Sequence, residues 1–317
     1  MIMSFSIRRA SVNDRPRLLE ISSKIWEGDD YIPDVVDTWI TDPNAELAVA
    51  VEKGTADGKD LVIAFARCSR LASGYAWLEG ARTDPGYRNR GASKALLRYF
   101  LAQLQAEDAK TVALSTYVEN KASIHIIERE GFRRREEYVY AERTSLRRGA
   151  LRTTIPERPA HERDQRGIHT VDGRAGLRFW ESLREPVRFI SDGWKFIPAE
   201  LGHRPVEARL ELLGTDHQRP STAVAAISKR GVATGILSIG LYATDPGDAG
   251  RLLDEANRRY PVERSELMIW PSSVSSEIVD TARDRGYSVW NDGKPDVFVY
   301  ELTLATKPQS TKSFKEG

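Results

Sequence analysis

The residues whose types and spacing could do chemistry are concentrated in one run, Thr83-Asp84-Pro85-Gly86-Tyr87-Arg88-Asn89-Arg90-Gly91-Ala92-Ser93-Lys94-Ala95-Leu96-Leu97. It follows a strand pattern, Tyr75 to Thr83, and opens a helix whose Leu97, Phe100, Leu101 and Leu104 form an apolar stripe. A turn in that position aims main-chain N–H groups outward at a helix N-terminus, where the helix dipole also favours an anion. Gly91 lets a ligand approach the backbone, Ala92 and Ser93 are small, and Arg88 and Arg90 add positive charge. This is the chemistry of a diphosphate cradle. Neither the Gly-Lys-Ser/Thr of a P-loop nor a Gly-x-Gly-x-x-Gly fingerprint is present. An Arg-rich surface turn is the plain alternative.

The elements that must position this run are legible from periodicity. Phe5 to Arg8 reads as a strand, and Asn13 and Asp14 precede a helix carrying Leu18, Ile21 and Ile25. An acidic loop (Glu27 to Asp30) leads to Tyr31-Ile32-Pro33 and a second helix with Val35, Val36, Trp39 and Ile40. Glu46–Val51 and Leu61–Cys68 flank a turn-rich stretch and predict a hairpin. Tyr75–Thr83 adds a third strand, and Val112–Val118 a fourth after the helix that begins near Gly91. Ala122–Arg129 reads as a helix stopped by Gly131, and Phe132–Tyr140 as one or two closing strands. The class is α/β with a mixed (α+β) sheet: strand, two helices, three antiparallel strands, helix, strand, helix, strand.

Over residues 5–145 the sequence resembles the GCN5-related N-acetyltransferases. Their acetyl-CoA loop reads Arg/Gln-x-x-Gly-x-Gly/Ala, often preceded by Pro-x-Tyr; Pro85-Gly86-Tyr87-Arg88-Asn89-Arg90-Gly91-Ala92-Ser93 matches, with Ser93 in the last small position. A second marker, an Asn on leaving the fifth strand followed by Gly-Phe eleven and twelve residues on, is matched by Asn120, Gly131 and Phe132. The resemblance implies that the amides of Asn89 to Ser93 hold the coenzyme A diphosphate. It implies that pantetheine pairs with the chain at Ala81, Arg82 and Thr83, where a β-bulge splays two parallel strands. Asn120, with Ser123 beside it, is implied to meet the pantetheine, and an N–H near Ala81 to polarise the thioester carbonyl.

The implied reaction is direct attack of an amine on the acetyl thioester, which needs a base for the ammonium proton. Glu79 is the candidate base: it lies on the central strand two residues before Ala81, and strand alternation would set both on one face. A surface or ion-paired carboxylate is its plain reading. Many members carry a Tyr seven residues after the Asn; here that position is Ile127. His125 lies roughly 200° around the helix from it, and neither Ser123 nor Tyr117 is an assured substitute, so the acid stays open. Glu27, Asp30, Tyr31 and Trp77 fall where this fold builds its acceptor site, and an acidic rim suits a cationic amine. Solvated loop charges and core aromatics are the plain readings there.

The 317 residues suggest two domains. Lys and Arg total 47 against 46 Asp and Glu, so no global attraction to nucleic acid is expected. No apolar run reaches the roughly 18 residues of a membrane span, the first nine residues show no leader pattern, and a cytoplasmic location is expected. Cys68 stands alone and the five histidines lack ligand spacing, so neither a disulfide nor a metal is expected. Arg143 to Arg178 holds nine Arg and four acids among several Gly and Pro, which predicts a linker, 146–186, between a catalytic domain, 1–145, and a second domain, 187–304, with a polar tail, 305–317.

The second domain echoes the first. Thr83-Asp84-Pro85-Gly86 recurs as Thr244-Asp245-Pro246-Gly247, and Arg129-Glu130-Gly131-Phe132 as Asp284-Arg285-Gly286-Tyr287. Between the two matches six residues, Tyr87 to Ala92, have no counterpart; Glu79 falls on Gly240 and Asn120 on Ser275. The C-terminal half thus reads as a degenerate acetyltransferase-like fold without a cofactor loop, free to shape the acceptor pocket, cover an edge or form a homodimer. Asp30-Tyr31-Ile32-Pro33 with Trp39, and Gly193-Trp194-Lys195, resemble the histidine N-acetyltransferase-like branch. The expected activity is acetyl-CoA-dependent acetylation of a small-molecule amine. A protein N-acetyltransferase and a non-catalytic acyl-CoA sensor or scaffold are the alternatives.

Overall fold

A computed structural model describes residues 5–28, 30–54, 60–144, 167–215, 222–233, 235–272 and 275–305. Two compact units emerge: the described residues of Met1–Leu114 with Glu301–Gly317, and those of Ser115–Tyr300. Among the described residues no helix is long and apolar enough to cross a membrane.

The first unit contains β1 (Phe5–Arg9), α1 (Arg15–Ser22), α2 (Ile32–Thr41), β2 (Ala45–Glu52), β3 (Leu61–Ala72), β4 (Tyr75–Thr83), α3 (Ala92–Ala106) and the start of β5 (Thr111–Tyr117). The strands lie in sequence order, antiparallel from β1 to β4, with β5 parallel to β4. Both faces of β2 are buried, and its alternation separates two layers. Leu47, Val49 and Val51 join Leu18, Ile21, Val36 and Trp39 of α1 and α2. Glu46, on the opposite face, accepts a 2.7 Å hydrogen bond from Tyr99 of α3. Cys68 is buried in β3, and burial pushes its thiol up to about 12, as a packed residue rather than a nucleophile.

The second unit holds α4 (Lys121–Arg129), β6 (Arg133–Thr144), β7 (Ile168–Val171), α5 (Gly173–Ser182), β8 (Phe189–Asp192), β9 (Lys195–Pro198), α6 (His203–Arg209), β10 (Leu210–Thr215) and β11 (Ala223–Ser228). It continues with α7 (Lys229–Ala233), β12 (Ile236–Ala243), α8 (Pro246–Arg259), β13 (Arg264–Ile269), α9 (Ser275–Arg283), β14 (Ser288–Val289) and β15 (Val297–Thr303), which ends beyond the unit boundary. Its sheet runs β7-β10-β11-β12-β13-β6, with β12 and β13 parallel. Apart from the β8–β9 hairpin and α7, the order β7, α5, α6, β10, β11, β12, α8, β13, α9 matches that of β1 through α4 along the chain.

Three local differences separate the two runs of elements. The parallel ladder of β12 and β13 runs unbroken from Ile236–Arg264 to Leu241–Ile269, whereas that of β4 and β5 covers Tyr75 to Trp77 only. Asp245 caps α8 directly, accepting from the Asp248 N–H at 2.7 Å, while its counterpart Asp84 caps a separate 3-10 turn, Pro85–Tyr87. Finally, the β8–β9 hairpin fills the connection between α5 and α6 and lies on β11 and β12. There Ser191 donates its N–H to Tyr242 Oη at 2.7 Å, and a Cβ on Gly240 would meet the Ser191 Cβ at 2.9 Å.

The expected linker 146–186 differs from what folds there. Residues 145–166 lie outside the described residues, but β7 and α5 are part of the second unit, with Trp180 fully buried. Two of the glycines in that stretch, Gly173 and Gly176, are close-packing positions: a Cβ on Gly176 would meet Leu212 Cδ1 at 2.6 Å, and one on Gly173 the Glu207 side chain at 2.7 Å. The compact division also groups 115–144 with the second unit rather than with 1–114. Of the expected polar tail, 306–317 lie outside the described residues. Although any side chain raises helix propensity over glycine, Gly176→Val is expected to lower unfolding stability by about 1–3 kcal/mol through overpacking. Urea denaturation measures this, and an unchanged midpoint would return the segment to a connector.

Candidate active site

The site is organised by an irregularity in β4. Phe65 pairs with Arg82 and Arg67 with Glu79, so Gly80 and Ala81 together stand opposite Ala66 alone. This is a β-bulge, and Gly80 carries the positive φ (+66°) that makes it. A Cβ on Gly80 would lie 2.4 Å from the Trp39 ring, so glycine is required by space as well as by backbone. The bulge also revises the expected alternation. Cross-strand partners share a face, and Phe65 and Arg67 are two apart, so Glu79 shares its face with Arg82 and not, by simple alternation, with Ala81.

On that face Glu79 is engaged by Arg67, whose other end reaches Asp42 at the end of α2, and Ser69 Oγ lies 3.4 Å from the same Glu79 oxygen. The Glu79 side chain keeps 15% exposure. Arg82 makes a two-pronged pair with Asp30 (2.9 and 2.8 Å), donates to the Ala81 carbonyl at 3.0 Å and stacks under Trp26, 4.3 Å from the ring centroid. Burial works against this cation, but the hydrogen bonds and charge of Asp30, with Tyr31 beside it, together outweigh it and hold Arg82 above the ordinary arginine range.

Two expected acceptor-site residues are therefore occupied otherwise. The Asp30 side chain is 0% exposed, held by Arg82 and by Ser22 Oγ at 2.9 Å, because a lone buried carboxylate would be far costlier than a paired one. Trp77 is buried at 1% exposure in the sheet. Glu27 is exposed in a turn where Trp26, Glu27 and Gly28 all have positive φ (47°, 58° and 91°), and Tyr31 meets Trp39 edge to face at 5.9 Å.

Downstream of the bulge, Asp84 anchors the loop: its N–H donates to Ile63 O at 2.9 Å, its Oδ1 accepts from Gly86 N at 2.9 Å, and its Oδ2 accepts from Arg17 and Lys24. Burial opposes its ionisation, but the Gly86 amide and the Lys24 and Arg17 cations hold it below the usual carboxylate range. Left-handed backbone at Asn89 (φ +62°) and Gly91 (φ +87°) then delivers the chain into α3. That helix starts on Gly91 without a side-chain cap, and the space a Gly91 Cβ would enter is open. Thr83 Oγ1 and Ser93 Oγ share a 2.7 Å hydrogen bond that ties strand end to helix start. Arg88 is exposed, Ala92 buried, and Arg90 contacts Glu52 at 3.2 Å and the Tyr87 ring.

Asn120 and Ser123 belong to the second unit, where Asn120 caps α4 by accepting from the Ser123 N–H at 3.3 Å. Ile127 is buried there, and burial raises the Tyr117 hydroxyl above its ordinary value. Among the described residues no group of three or more His, Cys, Asp or Glu could hold a metal. Sequence reasoning missed Arg67, Asp42 and Gly80; an Arg inside the apolar run Leu61–Cys68 and a Gly inside a strand were the available signals.

Residues 15–132 match the acetyltransferase (GNAT) family, and the chain therefore carries a GNAT acetyltransferase domain. No curated protein matches the sequence. Over its length the fold is similar to a GCN5-related N-acetyltransferase from Sphaerobacter thermophilus (TM-score 0.58, 17% identity, covering 96% of this chain and 97% of that one). It is also similar to an acetyltransferase-type protein of Thermoplasma acidophilum (TM-score 0.56, 16% identity, 94% and 99% covered).

Gly80→Ala is expected to cost about 2–4 kcal/mol, combining left-handed strain with the Trp39 clash. Gly74→Ala, at φ +77° but with its nearest atom at 3.6 Å, should cost about 1 kcal/mol. Equal losses on chemical denaturation would remove Trp39 as the constraint.

Proposed function

We propose that the chain transfers the acetyl group of acetyl-CoA directly to a primary amine of a small molecule. The observation that carries this reading is the uncapped start of α3 at Gly91, with open space before it and a bulged strand end leading to it. Uncapped amides and the helix dipole suit the coenzyme A diphosphate. Past Trp77, β4 leaves its ladder with β5, which suits strand-like pairing by pantetheine at Ala81 to Thr83. By resemblance, Asn120 and Ser123 contribute to the same cofactor, and the N–H near Ala81 polarises the carbonyl. The amine nitrogen attacks the thioester carbon, Glu79 takes its proton, and the C–S bond breaks to release the thiolate of coenzyme A. A thiolate with pKa near about 8–9 leaves without an obligatory acid, consistent with an aliphatic Ile127.

The second unit is proposed as a degenerate copy of the same fold. Its unbroken β12–β13 ladder, the Asp245 cap on α8 and the hairpin over Gly240 support the reading: each stands where the first unit has a splayed strand pair, an uncapped helix and Glu79. For the acceptor, the short likeness to the histidine N-acetyltransferase-like branch makes histidine the first amine to screen, followed by other amino acids, polyamines and peptides.

Gly91→Glu is expected to weaken acetyl-CoA binding at least about tenfold in calorimetry, by placing an anion where the diphosphate sits. Gly91→Asn, which tolerates left-handed backbone, should stay within a few-fold of the parent. Unchanged binding in Gly91→Glu would defeat the cradle. Glu79→Gln is expected to lower kcat by roughly 100-fold, within the usual range for a general base, with acetyl-CoA affinity unaltered. A wild-type rate across the pH profile would remove Glu79 from the mechanism. Acetyl-CoA binding without thiol release against the whole amine panel would favour the sensor alternative.

A further inference from the structure

Arg67 sits in the middle of β3, and its side chain is 5% exposed. Its guanidinium carbon lies 5.0 Å from the Trp39 ring centroid, Nη1 donates to Glu79, its cross-strand partner, and Nη2 donates to Asp42, the residue that closes α2. As a stabiliser of the fold this is a poor choice. Removing a guanidinium from water is costly, and an apolar residue of similar volume often does as well or better. Arg67 Nε is moreover buried without a hydrogen-bond partner among the described residues, which adds to that cost. Its guanidinium bridges two carboxylates, Glu79 on the bulged strand and Asp42 at the close of α2.

We infer that Arg67 is a positioning residue for Glu79: it fixes the direction of that carboxylate and keeps it ionised, ready to take a proton, with Asp42 holding the guanidinium in register. The inference rests on Glu79 being the proton acceptor. The other charged and titratable groups around Glu79 are Asp42 from α2, Tyr31 from the entry to that helix, the Arg82–Asp30 pair and Cys68 on β3. Asp42 and Asp30 oppose ionisation of Glu79, and each is paired to its own guanidinium nitrogens. The Cys68 thiol is neutral near pH 7 because burial pushes it up to about 12. Arg67 donates directly to the Glu79 carboxylate, so its removal should be felt there.

The test is a carbon-13 NMR titration of Glu79 in the full chain, assigned by the signal lost in Glu79→Gln. Arg67→Gln is expected to raise the Glu79 titration midpoint by roughly one to three pH units, the usual effect of removing a neighbouring cation, and Arg67→Lys to raise it by less. Asp42→Asn, which frees the guanidinium from its second carboxylate, should lower it. An unmoved midpoint in Arg67→Gln that keeps its circular dichroism spectrum overturns the inference. Should that variant fail to fold, Arg67→Lys and Asp42→Asn decide, and no shift in either overturns it. The readout needs no acceptor, so the two readings separate: full turnover in Glu79→Gln removes Glu79 as base, while the NMR shift still judges Arg67. Where both hold, the acidic limb of kcat/KM with the amine found by screening moves up alongside the midpoint in Arg67→Gln.

Discussion

Everything at the site depends on one backbone conformation, the left-handed Gly80 pressed against the Trp39 ring. With regular alternation, Arg82 would point away from Glu79 and β4 would have no reason to bend out of its ladder with β5. The extra residue brings Glu79 and Arg82 onto the α1–α2 face and leaves the end of β4 as an edge with main-chain groups to offer. Trp39 makes the conformation obligatory, since no side chain fits under the indole. A packing contact in the core of the first unit therefore decides which charged groups, Glu79 and Arg82, share a face.

The second unit shows what the same plan does without that contact. β12, which like β4 runs into a Thr-Asp-Pro-Gly turn, keeps regular register with both neighbours. The helix that follows each turn starts differently. In the first unit Asp84 is spent on a short turn and the helix begins later, uncapped; in the second, Asp245 meets the helix at once and its carboxylate occupies the position an anion would take. A capping carboxylate directly at the helix start leaves a self-satisfied end where an uncapped one attracts an anion.

Much of this was legible from the chain alone. The strand–loop–helix run around Gly91 and the order of elements through Phe132 follow from periodicity and turn chemistry, and both are found as expected. What could not be read were the consequences of pairing. Asp30 looks like a loop acid until Arg82, fifty-two residues on, is seen to bury it. Gly173 and Gly176 look like connector residues until Glu207 and Leu212 are seen against them. Local patterns report which residues want burial or freedom, whereas the partner that grants it arrives from another element.

The distribution of charge around the bulge follows from the same pairing. Two guanidiniums, Arg67 and Arg82, stand on one face of adjacent strands, and each is buried against a carboxylate brought by the ends of α2: Asp42 at its close and Asp30 just before its start. Neither pair is cheap, since desolvating a charge costs more than an apolar contact would. The expense is concentrated where α2 meets the bulged strand, and it fixes both ends of that helix over Glu79. Strand β4 and helix α2 are thus locked by two ionic clamps with the Trp39–Gly80 contact between them, and the acidic loop ahead of α2 is tied to this frame through Trp26 on Arg82. The frame on one side is regular and clamped, whereas the loop on the other holds left-handed backbone at Trp26 and Glu27, so local strain is confined to the segment just ahead of α2.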